Sequence, residues 1–177
     1  VYAAGDVLGQ LQFTHAAGHY GWYAAMNGLF DGWKSWKLQT KAFPAVVYTD
    51  PEIARVGLNE TEARERDIDY EITRYDLAEL DRAIADGANH GFIKILTPPG
   101  KDRILGVTIV GARAGDMLGE FTLAMRHGLG LNKILQTIHP YPSWTEAAKA
   151  AAGEWRRAHL PQWALSLSER FLAWRRG

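Results

Sequence analysis

The sequence predicts an α+β fold in which an antiparallel sheet carries helices on one side. Three observations carry this expectation. Two β-rich runs, 91–97 (GFIKILT) and 103–111 (RILGVTIVG), flank the turn cluster Pro98-Pro99-Gly100-Lys101-Asp102, which reads as an antiparallel hairpin. Residues 114–127 then place Met117, Leu118, Phe121, Ala124 and Met125 on one helical face. Strands and helices occur in segregated order, which favours α+β over alternating βαβ units.

The elements follow in chain order. Residues 1–6 read as a short apolar strand ending at Gly5-Asp6. Residues 13–29 read as a helix with small residues at Ala17, Gly21, Ala24, Ala25 and Gly28, which permit close packing. The polar-aromatic stretch 31–43 has no period and reads as a linker. Beyond it, 45–49 and 53–58 are expected strands separated by a turn at Asp50-Pro51. Asn59 is a plausible cap for a helix whose first turn is acidic. Tyr70 to Tyr75 alternates as a strand, and 77–84 suits one or two helical turns. Gly128 and Gly130 end the 114–127 helix, a short helix follows near 131–136, and the last main helix spans about 143–157. The expected organisation is therefore 1–42, a domain at 43–157, and a tail at 158–177. In the tail, Trp163, Leu167, Phe171 and Trp174 form a stripe opposite Arg170, Arg175 and Arg176. Docking of that stripe on its own domain is the plain expectation. Contact with a membrane surface is the sharper alternative.

Composition narrows the function. Lys plus Arg and Asp plus Glu balance at 20 each, so no basic surface argues for nucleic acid. No apolar run is long enough to span a bilayer. The opening Val1-Tyr2-Ala3-Ala4 lacks the basic start of a signal peptide, and a cytoplasmic piece of a longer chain is expected. The absence of cysteine excludes disulfides, thiolate metal sites and a cysteine nucleophile from these residues. Seven Trp is high for 177 residues, and Trp33, Trp36, Trp155, Trp163 and Trp174 sit near the domain's edges, as interface rings do.

Two segments carry candidate chemistry. Gly5-Asp6 at a strand end would put a carboxylate where nucleotide cofactors sit, with Gly5 allowing close backbone approach. The free N–H groups of a helix beginning near Phe13-Thr14 would favour an anion or a polarised carbonyl. At the other end, His139-Pro140-Tyr141-Pro142-Ser143-Trp144-Thr145-Glu146 contains two X-Pro bonds that stiffen the approach to a helix. Either is a candidate for the cis form. His139 and Tyr141 both move protons. Glu146 either complements the helix dipole or orients a neighbouring donor. His15 and His19 share a helical face without an acidic neighbour, so no metal is expected there. His90 opens a strand, and His127 ends a helix where a cation suits the dipole.

Read in order, YAAGDV, FTHAAGHYG, FPAVVYTDPEIARVGLNETEA, the GFIKIL/RILGVTIVG pair, AGDMLGEFTLAMRHG and HPYPSWTEA resemble the C-terminal third of the pyridine nucleotide-disulfide oxidoreductases. Dihydrolipoamide dehydrogenase, glutathione reductase and mercuric reductase belong to that family. The resemblance covers about 1–155 and leaves the tail outside. It implies that 1–42 is the last piece of an FAD-binding domain and 43–157 a dimerisation domain. Asp6 would then hydrogen-bond the FAD ribityl chain, and the helix N-terminus at Phe13 and Thr14 would face the flavin pyrimidine. The PSWTE segment would reach the partner subunit's active site in a homodimer, with NAD(P)H as reductant. Where dihydrolipoamide dehydrogenase and glutathione reductase place a catalytic His before that run, this sequence has Tyr141, as mercuric-reductase-like members do. A phenol is a poor base at neutral pH, with an ordinary pKa near about 10, but it donates a hydrogen bond. The family's redox cysteine pair and Gly-rich FAD motif are absent from these residues, so the piece alone is expected to be inactive. A strand at 1–6 without neighbours needs other partners, so 1–40 is expected to be mobile, to pack against the dimerisation domain in a way unlike the family, or to be exchanged between subunits. The alternative reading is a stand-alone, non-catalytic dimerisation or interaction module.

Overall fold

The computed structural model describes residues 1–9, 11–30, 33, 35–161 and 170–176. Its contacts divide the chain into two compact units, Val1–Lys41 and Ala42–Gly177.

In the first unit the expected helix is present as α1 (Thr14–Leu29). The expected strand at 1–6 is not. Residues before Gly5 have no regular structure, and Asp6–Leu8 close a 3-10 turn between Gly5 and Gly9. A strand needs a neighbour to take its N–H and C=O groups, and the described part of this unit contains no strand to pair with. The stretch after α1 is held by Asn27: its Nδ2 donates to the Trp36 carbonyl at 3.0 Å, and its Oδ1 accepts the Trp36 N–H at 2.8 Å.

The second unit is built on a five-stranded antiparallel sheet in the order β1-β2-β5-β4-β3. The strands are β1 (Pro44–Val47), β2 (Glu52–Gly57), β3 (Glu71–Asp76), β4 (Gly91–Thr97) and β5 (Gly106–Gly111). β4 and β5 form the expected hairpin around Pro98–Asp102, with Gly91 paired to Gly111 and Leu96 to Gly106. β5 starts later than the sequence pattern suggested: Arg103 instead bridges to Gly130. Two glycines set the close approaches. Gly91 has φ 127, and an added Cβ would strike the Val110 carbonyl. At Gly106 a Cβ would strike the Leu58 backbone.

Alternation along the strands sends Ala54, Val56, Ile93, Ile95, Val107 and Ile109 to one face, where all are buried. The two long helices, α4 (Ala114–Arg126) and α6 (Glu146–Ala158), cover that face. α4 lies over β1, β2 and β5, α6 over β3 and β4, and α5 (Leu131–Gln136) packs on α6. Met117, Leu118 and Phe121 supply the bulk, while Ala147, Ala148, Ala151 and Ala152 let α6 sit close. The short helices α2 (Glu60–Glu65) and α3 (Asp81–Ala85) are peripheral. Asn59 caps α2 in a reciprocal box with Glu62. Glu60 and Glu62 tie α2 to Lys94 and Arg55, which point from the other sheet face.

Glu71, on the edge strand β3, fastens the far end of α6. Its Oε1 accepts from Trp155 Nε1 at 3.0 Å and Thr97 Oγ1 at 3.1 Å. The same oxygen lies 2.9 Å from His159 Nε2, and Oε2 accepts the Gly100 N–H at 3.3 Å. Burial alone would raise this carboxyl, but the bonds from Trp155, Gly100, His159 and Thr97 outweigh it and hold the value below its ordinary 4.5.

The described part of the tail, 170–176, is helical. Its apolar residues do not dock as expected: Phe171, Leu172 and Trp174 are 55%, 45% and 78% exposed. No described residue covers that face. Trp163 and Leu167 of the expected stripe lie outside the described residues.

Two outcomes follow from this packing. Phe121→Ala should cost about 3–5 kcal/mol in urea unfolding, through lost burial and a cavity under α4. A carboxyl with a lowered folded pKa stabilises the fold above its unfolded value, and that contribution is lost as pH falls through the folded value. Stability followed by urea midpoint should therefore fall as pH drops below about 4.5, and Glu71→Gln should flatten that acid limb.

Candidate functional site

The eight residues from His139 to Glu146 join α5 to α6 as a stiff corner. The Tyr141–Pro142 peptide is cis, as is Asp50–Pro51. His139 anchors the entry. Its side chain is 4% exposed. Nδ1 lies 3.0 Å from the Thr137 carbonyl, and Nε2 lies 2.9 Å and 3.1 Å from the two Glu120 oxygens on α4. Both partners are acceptors, so both bonds form together only when both ring nitrogens carry hydrogen. Buried and doubly held, His139 is a fastening of the corner to α4.

The exit is fixed by Trp144 and Glu146. Trp144 Nε1 donates to Asp86 Oδ2 at 2.9 Å. Glu146 Oε2 accepts the Ser143 N–H at 3.1 Å, closing the first turn of α6 where an anion also suits the helix dipole. Glu146 makes no hydrogen bond to Tyr141 or His139 among the described contacts.

Between these fastenings Tyr141 is presented outward, 72% exposed. Its hydroxyl donates to Asp81 Oδ2 of α3 at 3.0 Å. That bond, then the Asp81 charge, burial and Glu146, raise the phenol above its ordinary value. Tyr141 therefore holds its proton and acts as a donor rather than a base.

Asp81, Glu120 and Asp86, which hold the corner, were not singled out in the sequence. Each is far from the corner in the chain, and nothing in the spacing links them. The only trace is Glu120 itself, an acid set between the apolar residues Leu118 and Phe121 of α4.

The candidate cofactor residues lie in the first unit. Gly5 has φ 81, and Asp6 is exposed in the 3-10 turn rather than at a strand end. α1 begins at Thr14 with Phe13 extended before it, and Phe13 gives the helix no side-chain cap. Among the described residues, no group of three His, Asp or Glu could hold a metal ion, and no helix is long and apolar enough to cross a membrane.

Residues 43–152 match the pyridine nucleotide-disulphide oxidoreductase dimerisation domain. The chain belongs to this family. It is 36% identical over 155 residues to dihydrolipoyl dehydrogenase of Chlamydia muridarum, covering 85% of this chain and 33% of that protein. Over 152 residues it is 36% identical to the Haemophilus influenzae dihydrolipoyl dehydrogenase, covering 86% and 31%. Among solved structures, LpdA of Mycobacterium tuberculosis superposes with a TM-score of 0.76 at 27% identity, covering 89% of this chain and 33% of that one. A Cu(II) complex of the HOCl-induced flavoprotein disulfide reductase RclA of Escherichia coli gives 0.77 at 26%, covering 85% and 34%. The chain thus spans about a third of the length of these relatives and corresponds to their dimerisation-domain region.

Removing the His139 ring strands the Glu120 carboxylate beneath the corner. His139→Ala should lower unfolding free energy by about 1–3 kcal/mol, read from urea midpoints, and His139→Gln should recover part of it.

Proposed function

We propose that this chain is the C-terminal part of an FAD- and NAD(P)H-dependent disulfide-type oxidoreductase that acts as a cytoplasmic homodimer. On this reading, residues 43–157 pair across a two-fold axis, 1–42 close one edge of the FAD site, and 158–177 form an added tail. The observation that carries it is the corner itself. Tyr141 is held outward by groups on α3, α4 and α6, with a raised phenol and most of its surface open among the described residues. Such rigidity serves a side chain that must meet a group on another surface.

The surface around the corner supports pairing. Ile138, Leu123 and Leu129 are 93%, 58% and 41% exposed on the α4–α5 side, an apolar area suited to an isologous contact. In the partner's site, Tyr141 would donate a hydrogen bond to the bound substrate. Glu146 would fix the turn that presents it, and His139 would hold the corner from beneath.

The first unit fits an FAD edge in its donor and acceptor set. The exposed Asp6 carboxylate can accept from ribityl hydroxyls, and Gly5 leaves room for close approach. The N–H groups at the start of α1, after Phe13 and at Thr14, suit a pyrimidine that gains negative charge. FAD bound there would supply hydride acceptance from NAD(P)H and electron delivery.

Three measurements test this. Sedimentation of the chain should give a dimer, and a monomer at high concentration would remove the pairing. The full-length polypeptide should contain a redox cysteine pair and absorb as a flavoprotein; its absence would leave a non-catalytic interaction module. In that polypeptide, Asp6→Ala should release FAD to the filtrate, whereas Tyr141→Phe should keep FAD and lower kcat by about a hundredfold to a thousandfold, as loss of a positioned hydrogen-bond donor does.

A further inference from the structure

Beside the corner lies a cleft of about 440 Å³, lined by Tyr75, Glu79, Asp81, Tyr141, Glu146 and Glu154. Lys149 and Arg157 also border it. Four carboxylates against two cations leave two negative charges unmatched. Arg157 is already committed to Glu154, at 2.7 Å. Asp81 and Glu146 each spend one oxygen on a bond within the protein. Glu79 pairs with no cation among the described contacts.

An acidic lining alone is an ordinary solvated surface, and Tyr75 makes this one different. It projects from β3 into the core side of the cleft and is 7% exposed. Its hydroxyl has no hydrogen-bond partner in the described protein, yet no unpartnered polar atom is sealed inside the fold. The hydroxyl therefore opens on the cleft. Burial, then Glu79, Asp81, Glu146 and Glu154, push this phenol up to about 12, so it remains a neutral hydroxyl in a negative potential. A buried tyrosine normally finds a partner for its polar tip, and here the open side is the cleft.

We propose that this cleft binds an organic cation of the guanidinium or alkylammonium class, with Glu79 supplying the charge and the Tyr75 hydroxyl accepting an N–H. A metal ion fits less well, because no three described carboxylates or imidazoles converge. The cation has two possible carriers, a free small molecule or the side chain of a basic segment, and both present the same N–H donors. This inference does not depend on the flavin role of Tyr141, since binding is read on the chain alone.

The experiment follows backbone amide shifts of the labelled chain during titration with agmatine, which carries a guanidinium and an ammonium. A second titration uses a peptide with the sequence of residues 170–176, RFLAWRR, as the basic-segment carrier. At least one should give saturable shifts confined to the 79–81 and 149–154 amides. Tighter binding of the peptide would identify a protein segment as the carrier, and tighter binding of agmatine a free cation. Glu79→Gln should weaken the binding about fivefold or more, as loss of a charged partner does. Tyr75→Phe should weaken it about threefold, and glutarate should shift nothing. Glu79 is exposed, so its variant tests binding even where Tyr75→Phe perturbs the fold. The proposal is overturned if neither probe shifts the cleft amides, or if Glu79→Gln binds as tightly as the natural chain.

Discussion

The anchoring of α6 at both ends is the constraint on which the second unit depends. At its C-terminal end Trp155 and His159 converge on Glu71, which also grips Thr97 and the hairpin turn. At its N-terminal end Ser143, Trp144 and Glu146 tie the helix to its own first turn and to Asp86. A helix so held cannot roll on the sheet without breaking charge-assisted bonds at one end or the other. The buried alanine row then fixes its height above β3 and β4.

The corner inherits this rigidity. His139 is fastened to α4 and Tyr141 to α3, while the following residues are fastened to α6. Three elements from separate parts of the chain thus meet within eight residues. The chemistry left to Tyr141 is donation, because the acids around it disfavour the phenolate. The cleft next to it has the same character: burial and its acids keep the Tyr75 phenol protonated.

Much of the second unit was legible in the sequence because its signals are local. The hairpin announced itself through β-branched runs around Pro98-Pro99-Gly100, α4 through its apolar period, and α2 through the Asn59 cap. The first six residues misled because a strand's apolar pattern says nothing about whether a neighbour exists to pair with it. The tail misled for a related reason, since an amphipathic stripe does not name the surface that covers it. In the corner, the proline spacing revealed stiffness and the residue types suggested proton chemistry. What each side chain holds was hidden. Glu120, Asp81 and Asp86 reach the corner only through tertiary packing, and Glu146 bonds the Ser143 N–H.

The alanine row on α6 has an evolutionary consequence. Four small side chains against the sheet leave no slack, so any enlargement there must lift the helix and carry its leading turn along. Adjustments to where Tyr141 points can therefore originate well inside the fold, at positions that never touch a ligand. Variation at Ala151 or Ala152 would act as a tuning screw for the corner, re-aiming Tyr141 without changing any residue on the exposed surface.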